Sequence, residues 1–196
     1  MPRARGARPS LGAVRILAAI AAALAIGAIG AVVWLWQPWD DDADRVEEAE
    51  LSEEFGGSAC RRLAGVASRL AEEDPPPDAF LRALGRRAAG IRPPPRAFAD
   101  LARGGRDLIP GKGFLARFDD GSAGQVRHFA GIAAAVSFGG ARNTRRISIG
   151  VRRDPPDSAD GRLTDEGIAF ASAVLAGEVE VDEAPQWLLE HLCRRR

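Results

Sequence analysis

Residues 16–36 form the longest uncharged apolar run in the chain, 21 positions without an ionisable side chain. As an α-helix rising about 1.5 Å per residue this run spans roughly 31 Å, which matches a bilayer hydrocarbon core of about 30 Å. Arg3, Arg5, Arg8 and Arg15 precede it, while Trp34, Trp36 and Trp39 gather at its far end, followed at once by Asp40, Asp41 and Asp42. Indole rings favour the headgroup region, and the positive-inside rule puts the arginine side in the cytoplasm. The expectation is a signal-anchor helix over residues 16–37 of a bacterial cytoplasmic membrane, with a basic cytoplasmic tail at 1–15 and the rest of the chain outside. A cleaved signal peptide is the rival, because Ala28-Ile29-Gly30 offers a small-x-small triplet. Against it, the apolar stretch continues through Val32, Val33, Trp34, Leu35 and Trp36, longer than a usual signal core. No cysteine lies near its end, which excludes lipoprotein processing. Ala19, Ala23, Gly27 and Ala31 recur every fourth position, a stripe that lets helices approach, but an alanine-rich segment yields that spacing by chance.

Charge is zero overall and uneven along the chain. Residues 1–39 hold four arginines and no acid, residues 40–54 hold nine acids against Arg45, and the remainder holds 18 acids and 22 bases. Residues 38–57 therefore read as an acidic, solvated stalk and residues 58–196 as an extracytoplasmic domain. With 46% apolar residues that domain can build a core. Its basic residues form no dense face interleaved with aromatics, which excludes a nucleic-acid partner. Lys112 is the only lysine and tyrosine is absent, a bias toward arginine, alanine, glycine and proline expected of a GC-rich bacterial genome.

The periodicities predict a mainly α fold with a minor two- or three-stranded β element. Ser58 caps a helix to about Glu73 with Leu63, Val66 and Leu70 on one face. Two six-residue segments, Pro-Pro-Pro-Asp-Ala-Phe ending at Phe80 and Pro-Pro-Pro-Arg-Ala-Phe ending at Phe98, match at five positions. Each reads as a proline brake and a short helix packed through its phenylalanine, with Asp78 as the cap of the first. Residues 122–138 give the clearest helix, with Val126, Phe129, Ala133 and Val136 on one face and Gly139-Gly140 closing it. Thr164 is expected to cap a helix carrying Ile168, Phe170, Val174 and Leu175, and Pro185 to open a last one carrying Trp187, Leu188, Leu189 and Leu192. Strands are expected at 114–118, at the alternating Ile147, Ile149 and Val151, and at Val179 and Val181.

The chain has two histidines, His128 and His191, so histidine chemistry has few places to occur. His128 falls on the border of its helix's apolar face and shares a stripe with Gly131 and Ala135, which leaves room for a neighbouring backbone or a small ligand. Gln125 lies one turn before it, and an aspartate such as Asp160 or Asp119 is the candidate orienting acid. Catalysis, if present, is thus assigned to His128, Gln125 and Asp160. A structural histidine bonded within the core is the competing reading. Neither a Gly-x-Ser-x-Gly elbow nor a His-Glu-x-x-His helix occurs. Asp157 to Thr164 resembles the middle of a calcium loop, but Pro156 and Gly167 occupy the first and last ligand positions, so no metal is expected. Gly105 to Lys112 has the wrong spacing for a phosphate loop, and Gly113 replaces the magnesium-binding hydroxyl, so no cofactor is expected. Cys60 and Cys193, the only cysteines, are a candidate disulfide between the first and last helices of the domain, or two buried thiols.

Three functions follow. The first is an envelope protein whose tethered domain binds another envelope protein or a cell-wall component. The second is a hydrolase or transferase with His128 as general acid or base. The third is a small-ligand carrier using the groove beside Gly131 and Ala135.

Overall fold

The computed structural model describes residues 57–152 and 155–195, all within the unit Asp40–Arg196. The expected anchor, cytoplasmic tail and stalk up to residue 56 lie outside the described residues. Among those described, no helix is long and apolar enough to cross a membrane.

The described domain is mainly α. Its helices are α1 (Ala59–Ala71), α2 (Pro77–Ala89), α3 (Arg96–Arg103), α4 (Gln125–Gly139), α5 (Ala141–Ile147), α6 (Ala159–Ala176) and α7 (Ala184–His191). A 3-10 turn covers Ala116–Phe118, and a π-helical turn, Ser148–Arg152, continues α5. Ser58 caps α1 as the sequence predicts, its hydroxyl accepting from the Arg61 N–H. Asp78 does not cap α2. The helix begins one residue earlier, at Pro77, and Asp78 lies in its first turn, paired with Arg82. Proline at the first helical position needs no capping partner for its missing N–H.

Helix α4 runs through the middle of the domain. Val126, Phe129, Ala133 and Val136 are all buried, as their spacing predicts. Helix α2 packs on one side of α4 at very short range. A Cβ on Gly85 would lie 2.4 Å from the Ala134 Cβ. Helix α6 packs on another side, where a Cβ on Gly167 would meet Ile132 at 2.9 Å. Two glycines thus set the helix spacing. Phe129 and Phe170 join α4 to α6 with ring centroids 5.5 Å apart, and Trp187 of α7 continues the aromatic row at 4.8 Å from Phe170.

The expected β element does not form among the described residues. The sole trace of it is an isolated antiparallel bridge between Phe114 and Cys193. Its flanking bonds run from the Leu115 N–H to the Leu192 carbonyl (2.7 Å) and from the Arg194 N–H to the Gly113 carbonyl (2.8 Å). The alternation at Ile147 and Ile149 belongs to a helical turn instead. The Ser148 N–H bonds back to the Arg145 and Thr144 carbonyls, and Ile147, Ser148 and Ile149 read exposed, buried, exposed around that turn. At Val179 the N–H is taken by the Ala173 carbonyl at the end of α6. A strand needs a ladder partner, and both segments have already committed their donors to helix ends.

Cys60 and Cys193 form a disulfide across 133 residues of sequence, with Cα atoms 5.6 Å apart. It joins the first turn of α1 to the segment just after α7. Gly113 passes close by at a φ of +118°, where a Cβ would lie 2.3 Å from the Ser58 hydroxyl oxygen.

Candidate functional site

Helix α4 presents Gly131 and Ala135 to a cavity instead of to another helix. Gly131 and Ala135 line a space of about 210 Å³ together with His128, Ile132 and Phe138 of the same helix. Leu101 and Phe98 of α3 form a second wall, and Asn143, Thr144, Ile147 and Ser148 a third. A Cβ built on Gly131 meets nothing within 4 Å. Phe98 and Ile147 line the cavity while remaining 63% and 55% exposed, which makes them its mouth. The stripe of His128, Gly131 and Ala135 singled out in the sequence therefore faces open volume.

The expected packing of Phe98 does not hold. Its repeat partner Phe80 is fully buried in α2, whereas Phe98 leans on Phe138 with centroids 6.3 Å apart and stays largely exposed. Sequence identity over five of six positions could not separate them, because burial depends on what lies opposite each helix. The α3 segment is held instead by Asp100, which is buried and accepts two hydrogen bonds from the Arg92 guanidinium (2.9 and 2.6 Å) and one from the Arg92 backbone N–H (3.0 Å). The hydrogen bond to Asp100 raises the Arg92 pKa above its ordinary value, against the opposing effect of burial.

At the inner end of the cavity the polar groups are linked in a row. The His128 imidazole is 7% exposed, and its Nε2 hydrogen-bonds with the Thr164 hydroxyl at 2.8 Å. Thr164 in turn shares a hydrogen bond with the Ser148 hydroxyl at 3.2 Å. On the other side of the ring, Nδ1 lies 3.9 Å from an Asp160 carboxylate oxygen, beyond hydrogen-bond length. Thr164 is thus no helix cap. It lies inside α6, whose cap is Ser158 accepting from the Gly161 N–H at 3.0 Å. A buried hydroxyl is retained in a helix interior here because it has two side-chain partners.

Of the three residues assigned to catalysis, the structure brings His128 and Asp160 near each other and turns Gln125 away. Gln125 is buried, but its amide donates to the Asp120 carboxylate and to the Ser122 hydroxyl (3.3 Å) in the turn before α4. Burial disfavours the Asp120 anion, yet bonds from Ser122 and Gln125 outweigh it and hold the carboxyl below its ordinary range. Asp119, the other candidate acid, is engaged by Lys112 and Arg194. Sequence reasoning missed Thr164 as the partner of His128, 36 positions away, since only the crossing of α4 and α6 joins them, and missed Ser148, which the turn after α5 brings to Thr164. Among the described residues no group of three or more metal-ligating side chains converges. No protein-family model matches the chain, and comparison with curated proteins and with solved structures likewise finds no match.

Proposed function

We propose that this chain is a single-pass protein of the bacterial cytoplasmic membrane, carrying outside it a non-enzymatic binding domain that takes the apolar part of a small ligand or a partner into the cavity beside His128. The tether rests on the uncharged run at 16–36 with arginines before it and acids after it. The compartment draws support from the Cys60–Cys193 disulfide, since such bonds persist in oxidising surroundings. A reporter fused after Arg196 that works only when exported should be active. A cytoplasm-only reporter that works there would reverse the topology.

The observation that carries the binding reading is the open, apolar volume against Gly131. Its size exceeds the roughly 150 Å³ of an apolar protein cavity that accommodates benzene. Apolar walls with a few fixed polar groups are the usual chemistry of ligand sites. The test uses the full chain in nanodiscs of zwitterionic lipid, with isoleucine methyl groups labelled for NMR and n-octanol as a neutral probe. The Ile132 and Ile147 methyl signals should shift saturably, and Gly131→Leu, which fills the volume, should abolish the shift. Equal shifts in both proteins would sink the reading.

A second reading, hydrolase or transferase, draws on the hydroxyl row that includes Ser148 on the cavity wall. In it His128 acts as general base through Thr164 on the Ser148 hydroxyl. The test is p-nitrophenyl octanoate hydrolysis by the wild type, His128→Gln and Ser148→Ala. Identical rates in all three would eliminate it. The binding reading is preferred because Asp160, the acid expected to orient the imidazole, lies 3.9 Å from its Nδ1, beyond hydrogen-bond length.

A further inference from the structure

The cavity has a charge asymmetry that its apolar walls do not require. Among the described residues its lining includes the guanidinium-bearing Arg127 and no carboxylate. The helix that forms one lip, α5, carries three arginines and no acid, and the run 141–153 holds five arginines without one. Two cations near the mouth are neutralised locally. Arg127 pairs with Asp107 at 2.9 Å, and Arg145 pairs with Asp165. Arg142 and Arg146 are exposed and form no ion pair among the described residues. They stand four positions apart, so they share one stripe of α5. That stripe adjoins Asn143 and Ile147, the residues of α5 at the cavity's edge.

Resting on the binding reading above, we propose that the natural ligand is a single-chain anionic amphiphile. Its alkyl chain lies against Ile132, Phe138 and Ile147, and its carboxylate stays at the lip, within the field of Arg142 and Arg146. The arrangement suits one chain and one head. The volume is small and its walls largely apolar, and the charge needed to balance the head sits outside it, where neither the head nor the guanidinium has to be desolvated. A neutral ligand would leave the lip charges unused. A cationic one would be repelled by them.

The experiment repeats the methyl titration on the full chain in zwitterionic nanodiscs, comparing octanoate with n-octanol, which share a chain length and differ in the head. Octanoate should bind about three- to tenfold tighter at low ionic strength, the range expected of two solvent-exposed charges. The double substitution Arg142→Gln and Arg146→Gln should remove that difference and leave octanol binding as it was. Half-molar sodium chloride should shrink it in the wild type, because exposed charges are screened over a few ångströms at that strength. Equal affinity for the two probes in the wild type overturns the anionic assignment and leaves the cavity reading standing. A difference that survives the double substitution overturns that assignment as well. Absence of any methyl shift with either probe overturns the cavity reading and this inference together. Recruitment to anionic vesicles, with no octanoate shift at Ile132, would also overturn it by assigning the arginines to a bilayer surface.

Discussion

Two glycines of the same core region have opposite reasons to be glycine. Gly85 sits where α2 crosses α4, and a methyl group there would overlap Ala134 at 2.4 Å. Gly131 sits in mid-helix facing empty space. Gly85→Ala should therefore destabilise the domain by about 1–3 kcal/mol, the usual cost of overpacking, despite alanine's better helix propensity. Gly131→Ala should stabilise it by about 0.5–1 kcal/mol, because only the propensity gain remains. Urea denaturation of the two variants measures both signs in one experiment. Equal effects would contradict the placement of the cavity. If the predicted gain is real, glycine at 131 is retained at some expense in stability, as expected where open volume serves binding. The sequence shows Gly131 and Ala135 as a small-residue stripe beside His128. It cannot show whether that stripe receives a helix, as Gly85 does, or a ligand.

At the scale of elements, two short-range devices hold the walls of the cavity in place. The Arg92–Asp100 pair fixes α3, and with it Phe98 and Leu101, to the segment after α2. Replacing Arg92 with methionine would strand the buried Asp100 carboxylate, at an expected cost of about 3–5 kcal/mol. Chemical denaturation reads the loss, and the companion variant Asp100→Asn with Arg92→Met should recover part of it. The turn leading into α4 is held by Asp120, which accepts from the Ser122 N–H at 2.8 Å and from the Gln125 amide. The Asp120 carboxyl is easier to ionise in the fold than in the unfolded chain, where its value is 3.8. Its stabilising contribution is therefore complete above that value and is lost as pH falls through the lower folded value. The stability gap between the wild type and Asp120→Asn should accordingly be open at neutral pH and narrow in acid. A gap independent of pH would contradict the hydrogen-bonded carboxylate. Element identity was legible for α1, α2, α4 and α7 because their apolar faces repeat strongly at helical spacing. It failed at Ile147 to Val151, where the alternation in sequence fits a strand but Ile147, Ser148 and Ile149 lie exposed, buried and exposed around a helical turn.

For the whole molecule, the Cys60–Cys193 bond closes nearly the entire domain into one loop. Removing it by Cys193→Ser should cost about 2–5 kcal/mol, toward the upper end because the loop is long. In a domain of this size that lowers the melting temperature by on the order of 10 °C. Thermal unfolding with and without reductant, with a mobility shift on a non-reducing gel, checks both the bond and its worth. The amino-acid sequence by itself determined the helical class, because burying one apolar stripe per helix requires only local spacing. It also carried the expectation of a membrane tether, because uncharged length and flanking charge are properties of a continuous run. Tertiary structure alone decided which of two near-identical proline-led helices buries its phenylalanine, that Gln125 turns from His128 while Thr164 reaches it, and that two distant cysteines meet. Each of those depends on which surface arrives opposite a residue, and no pattern along one segment encodes what the other segment will bring.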